Sequence, residues 1–85
     1  MSIEFQTVVK KNVSRDERSS ALDRLVASGE HIHLAVLVQT DGLAGEFRRQ
    51  ALDGLIRSGG TEQLDALAED RSIPRSLRRR AGEAA

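Results

Sequence analysis

The chain has 85 residues, no cysteine, tryptophan or tyrosine, one proline and a formal net charge of zero. That length makes one small domain at most, and the absence of cysteine excludes both disulfides and thiolate chemistry. No apolar run is long enough to span a bilayer and no charged-then-apolar signal segment opens the chain, so the expectation is a cytoplasmic protein without a membrane role.

The opening MSIEFQTVVKKNV, residues 1–13, admits two readings. Phe5, Val8 and Val9 fit one helix face, while Thr7, Val8 and Val9 are β-branched and suit an extended segment. A short helix capping the rest of the chain is favoured; the alternative is an extended arm free to add to a partner.

From Ser14 onward the helix signals are regular. Ser14 and Glu17 have capping-box spacing, and Leu22, Leu25 and Val26 recur on one face up to Gly29, predicting a helix over 14–28. A second, nearly all-apolar helix is predicted over 31–40 from Ile32, Leu34, Val36, Leu37 and Val38, and it should sit centrally, packed on both sides. Phe47, Ala51, Leu52, Leu55 and Ile56 predict a helix over 43–58, closed by Gly59. Leu64, Ala66, Leu67 and Ala68 predict a more polar one over 61–70, nearer the end. Pro74, expected in a first turn where its missing N–H costs nothing, opens the last, over 73–83. Asn12, Gly42 and Ser72 are further acceptable N-caps. Gly29 and Gly59 stand where a left-handed conformation ends a helix.

These segments repeat at an offset of thirty. ALDRLVASG at 21–29 returns as ALDGLIRSG at 51–59, and FRRQA at 47–51 returns as LRRRA at 77–81. Leu34 and Leu37 fall on Leu64 and Leu67, Leu43 on Ile73, and Arg18 and Arg48 on Arg78. Repeats of about 12–41, 42–71 and a partial 72–85 follow, within a repeat domain of 14–85. Leu22, Leu25, Leu34, Leu37, Phe47, Ala51, Leu55, Leu64 and Leu67 are the predicted core.

The segment RRQALDGLIRSGGTEQLDALAED resembles the short HEAT-like repeat of the phycobilisome-lyase type: an Arg-rich helix start, Ala and Leu at helical spacing, a glycine turn, then a short Leu-rich helix ending in acids. The resemblance covers about residues 12–85. It implies an all-α fold, a short right-handed α-solenoid of helical hairpins, and says little about function, because such repeats serve docking in unrelated systems. The first copy departs from the pattern, with Gln39, Thr40 and Asp41 in place of the acidic end.

Candidate sites stand beside structural alternatives. Arg18, Arg48 and Arg78 recur with the repeat and are expected to pair with loop acids such as Asp41 and Asp70, as a stacking device. Asp23 and Asp53 also recur, reading as a helix-surface charge row, and Gly54, opposite Arg24, marks close approach of another helix. Five of the eleven arginines lie between Arg71 and Arg80, a stretch without acids. Arg75 and Arg80 break the repeat, matching Gly45 and Gln50. Arg49, Arg57, Arg75, Arg79 and Arg80 are therefore the candidate partner-binding residues, against the alternative of a solvated terminal face. His31 and His33, two apart on a helix, point about 200° apart and do not converge on a metal. No Ser, His and Asp set has catalytic spacing, so neither an enzyme, nor a cofactor, nor a metal is expected.

The leading expectation is a non-enzymatic protein–protein interaction module or accessory subunit, docking on a protein partner or on a second copy of itself. The alternative is a small nucleic-acid-backbone-binding protein using the C-terminal arginines on phosphates. Zero net charge and the lack of Trp or Tyr to stack on bases weigh against it.

Overall fold

The computed structural model describes residues 3–85, which form six helices and, among the described residues, no strand: α1 Ile3–Val9, α2 Arg15–Ala27, α3 His31–Val38, α4 Gly45–Ser58, α5 Thr61–Ala68 and α6 Arg75–Ala84. Short and long helices alternate. Each short helix packs most extensively on the long helix that follows it, α1 on α2, α3 on α4 and α5 on α6. The long helices α2, α4 and α6 adjoin in that order, and α3 adjoins α5. The boundaries expected at 41/42 and 71/72 therefore fall inside the connections of the closest pairs.

The opening segment is helical from Ile3 to Val9; Met1 and Ser2 lie outside the described residues. Phe5 and Val8 are buried, and the Phe5 ring lies 5.3 Å from that of His33. Phe5 and Val8 stand 29 residues before the buried Leu34 and Leu37, one fewer than the repeat offset. The connection 10–14 is correspondingly one residue shorter than 39–44 or 69–74. A single missing residue thus puts α1 out of register with α3 and α5 in sequence while its burial pattern is the same.

The long helices end as the glycines predict. Gly29 has φ 66° and Gly59 φ 77°, and the amides of Glu30 and Gly60 reach back to Leu25 O and Leu55 O at 3.1 and 3.0 Å. Those bonds close two equivalent Schellman turns. At the other end, Ser14 accepts the Glu17 amide at 3.1 Å, as the capping box requires. The starts at 43 and 73 shift inward, to Gly45 and Arg75. Ser14, Ala44 and Pro74 share one extended conformation (ψ 160°, 144° and 144°) and are the N-caps. Asn12, Gly42 and Ser72 precede them in the turn, and Pro74 sits at the cap position, just outside the first turn. The reason lies one residue earlier. Leu43 and Ile73 are buried, and the turn that swings them inward ends α3 and α5 two residues before the expected 40 and 70.

All nine predicted core residues are buried, and Phe5, Val8, Ala21, Val38, Leu43, Leu52, Ile73, Leu77 and Ala81 join them in one cluster. Full burial of a leucine contributes about 1.5–3 kcal/mol, so this cluster outweighs any surface pairing. Helix α3 adjoins α2, α4 and α5 and buries Leu34, Leu37 and Val38, but Ile32 is 69% exposed. One edge of the central helix is therefore open to water instead of being covered on both sides.

Two of the three register arginines, Arg18 and Arg48, donate to backbone carbonyls. Arg48 is buried, and its Nε donates to Val38 O, at the end of α3, at 2.8 Å; Asp41 lies further off, at 3.8 Å, with its own side chain in solvent. Arg18 Nη2 donates to Lys10 O, just past α1, at 2.7 Å. Each guanidinium thus caps the short helix before it, where the last carbonyls lack intrahelical donors. The expected acid pairing is present at Arg48 and Asp41, near the outer limit of ion-pair distance, while a carbonyl fixed by the helix is the closer partner of both guanidinium groups. Asp70 is held by the Ser72 hydroxyl at 2.6 Å and by Gln39 at 2.8 Å; the charge of Arg78 is the smallest of the influences lowering its pKa.

Candidate functional site: an arginine-lined cleft between α4 and α6

Long helices laid side by side bring together residues that are 27 to 32 apart in sequence. Between α2 and α4, Arg15 pairs with Glu46, and Gln50 Nε2 donates to Ser19 O, Ser19 Oγ and Asp23 Oδ1 at 3.1–3.2 Å. The guanidinium carbons of Arg15 and Arg18 stand 5.6 and 5.4 Å from the centroid of the Phe47 ring. Gly54 lies against Val26, and a Cβ at that position would overlap Val26 Cγ2. The glycine expected to mark close approach does so within the chain. Between α4 and α6, Arg80 Nε donates to Asp53 Oδ1 at 2.6 Å. Asp23 and Asp53 are thus acceptors reaching to the next long helix, and no acid–base pair forms between them.

On the solvent side of this second junction, Arg49, Arg75, Ser76, Leu77, Arg79, Arg80 and Glu83 line an open cleft of about 540 Å³. Four of the five arginines singled out from the sequence converge there. Arg57 is exposed near the far end of α4 and is absent from the lining. Arg49 and Arg79, thirty apart, occupy equivalent positions on adjacent helices; Arg75 and Arg79 are one turn apart on α6. Ser76 and Glu83 belong to the cleft without having been anticipated. Glu83 was legible, since it stands thirty after Asp53.

The four guanidinium groups are unequally engaged. Arg80 is committed to Asp53, with its side chain half exposed, and Arg79 lies 3.9 Å from Glu83, both well exposed. Among the described residues no acid stands within ion-pair distance of Arg49 or Arg75. Both are exposed on the surface. Planar guanidinium forks offer paired N–H donors, which match carboxylates and phosphates bidentately. The arrangement is suited to receiving negative charge on an open surface.

The histidines lie elsewhere. His31 Nε2 is 3.1 Å from Ser58 O, and His33 stands beside Phe5 and Glu30. Among the described residues no group of three or more His, Cys, Asp or Glu gathers as metal ligands, and no helix is long and apolar enough to cross a membrane. No protein-family model, curated protein or solved structure matches the chain.

Proposed function

We propose that the chain is a short right-handed stack of HEAT-like helical hairpins that works in the cytoplasm as a non-enzymatic docking module, receiving an acidic protein surface in the cleft between α4 and α6. The observation that carries this reading is the convergence of Arg49, Arg75, Arg79 and Arg80 on one open cleft, with Arg49 and Arg75 unpaired among the described residues. The repeated long-helix junctions and the resemblance of residues 12–85 support the stack. Glu83 and Asp53 within the same surface favour a partner that presents both signs of charge over a uniform polyanion.

The same four arginines also fit phosphates, which gives the second reading, a nucleic-acid-backbone binder. A polyanion would meet Glu83 in the cleft, and the chain has no net positive charge to attract it. Fluorescence anisotropy separates the two, with a labelled peptide of Glu-Glu-Lys repeats and an arbitrary DNA duplex as probes at physiological salt. The docking reading expects the mixed-charge acidic peptide to bind, Arg75→Glu/Arg79→Glu to abolish that binding, and the duplex to remain free. Submicromolar duplex binding that falls steeply with salt, as counterion release requires, would instead establish the second reading.

A further inference from the structure

The open sides of the two outer long helices, α2 and α6, occupy the positions that meet at the junctions with α4. At the α2–α4 junction, α2 supplies Arg15, Arg18, Ser19 and Asp23, and α4 answers with Glu46, Phe47 and Gln50. At the α4–α6 junction, Asp53 is answered by Arg80. Continuing the offset, the outer side of α6 offers Arg75, Arg78, Arg79 and Glu83 in the places of Arg15, Arg18, Ser19 and Asp23. The outer side of α2 offers Asp16, Glu17 and Ser20 in the places of Glu46, Phe47 and Gln50. Both sides are open: Arg75, Arg78, Arg79 and Gly82 line a groove with Ala68, while Asp16, Glu17, Ser20 and Arg24 line another with Thr7.

We infer that this chain associates head to tail with a second copy of itself, the acidic side of α2 in one copy docking on the basic side of α6 in the other. The inference goes beyond the docking reading above: Arg75 and Arg79 border both the α4–α6 cleft and the outer groove of α6, and the second copy takes the outer one. The internal geometry sets the register. Arg75 meets the second copy's Asp16 as Arg15 meets Glu46. Glu17 of the second copy enters between Arg75 and Arg78, where Phe47 sits over Arg15 and Arg18 inside the chain. Glu83 comes against Ser20 of the second copy, with Arg24 one turn further along that face. Wherever Phe47 stands as an apolar anchor inside the chain, the ends place an acid against two bases. The contact is consequently held by charge, reversible, and weakened by salt. A head-to-tail contact uses different patches on the two copies, so it does not close at two; it propagates.

Sedimentation velocity on the full chain tests this, with the charge-neutralising variants Arg75→Gln/Arg79→Gln and Asp16→Asn/Glu17→Gln. Helical circular dichroism confirms that each is folded. The wild type is expected to gain mass continuously with concentration, past twice the monomer, and to return to monomer at high salt. Each variant alone is expected to remain monomeric, and an equimolar mixture to stop at a dimer, because only one intact patch of each kind remains. A wild type that stays monomeric at millimolar concentration, a closed dimer in the wild type, or a variant that still self-associates would overturn the inference. Binding of the Glu-Glu-Lys peptide, measured on the same samples, reports on the docking cleft separately. Binding retained by a monomeric wild type leaves the docking module standing without self-association. Binding lost together with self-association overturns both.

Discussion

Arg80 reaches Asp53 across the α4–α6 junction as Gln50 reaches Asp23 across the α2–α4 junction, at 2.6 and 3.1 Å. Arg80 therefore continues a ladder in which a long-helix acid receives a donor from the next long helix, and its charge is not free in the way its break with the repeat implied. With Arg80 half exposed, the pair contributes about 0–1 kcal/mol. Arg80→Gln is expected to change unfolding free energy by less than about 0.5 kcal/mol, since glutamine already does this work at position 50. Arg80→Glu, which opposes two carboxylates, should cost more than Arg80→Gln. Urea denaturation of the two variants checks the order; equal losses would show that the ladder carries no specific bond.

Leu37 is fully buried in α3, whereas Ile32, five residues earlier, is 69% exposed. Leu37→Ala should cost about 2–5 kcal/mol through lost burial and an incompletely collapsed cavity, a large fraction of the stability of so short a chain. Ile32→Ala should change the melting curve little. Comparable losses at both positions would place the wrong face of α3 inward.

Gly54→Ala sets two effects against each other. Alanine gains about 1 kcal/mol of helix propensity over glycine, but its Cβ overlaps Val26 Cγ2, and a β-branched side chain has little rotamer freedom with which to yield. Overpacking of this kind costs about 1–3 kcal/mol, so the variant should be destabilised. In a Val26→Ala background the same change should become stabilising. A double-mutant cycle reads the sign reversal directly.

Arg48→Met keeps the buried stem and removes the donor from Val38 O. Leaving a buried carbonyl without its partner costs about 1–3 kcal/mol. Hydrogen exchange at the end of α3 should rise with it, while α5 stays protected. Uniform deprotection of both short helices would show that Arg48 acts on global stability alone.

The Asp70 carboxyl is held below its ordinary 3.8, first by the Ser72 hydroxyl, then by Gln39, then by the Ser72 amide. Because the folded value is depressed, the stabilisation linked to it is present above the ordinary carboxylate value and is lost as pH falls through the folded one. An NMR titration should show the Asp70 midpoint below 3.8, and Gln39→Ala should move it upward. A midpoint unmoved by that change would assign the shift to Ser72 alone.

Helix positions, their glycine ends and the inward face were all legible in the sequence, because each is a local property. Glycine at positive φ and leucine spacing on one face depend on residues within a turn or two of each other. The thirty-residue offset further predicted which side chains recur, and nine of them are buried as expected. What required the tertiary structure was every question of which surface meets which. The offset compares positions and is blind to pairing, so it could not show that each short helix packs on the long one after it. Nor could it detect α1, displaced from the offset by one residue, as the counterpart of α3 and α5. It marked Arg48 as a recurring charge but not as the cap on Val38 O, ten residues away. It grouped Arg57 with Arg49, Arg75, Arg79 and Arg80 by charge alone, and only the side-by-side placement of α4 and α6 gathers four of them around one cleft while leaving Arg57 outside. Local backbone preference and burial are written residue by residue; the meeting of side chains 27 to 32 apart exists only once the helices have packed.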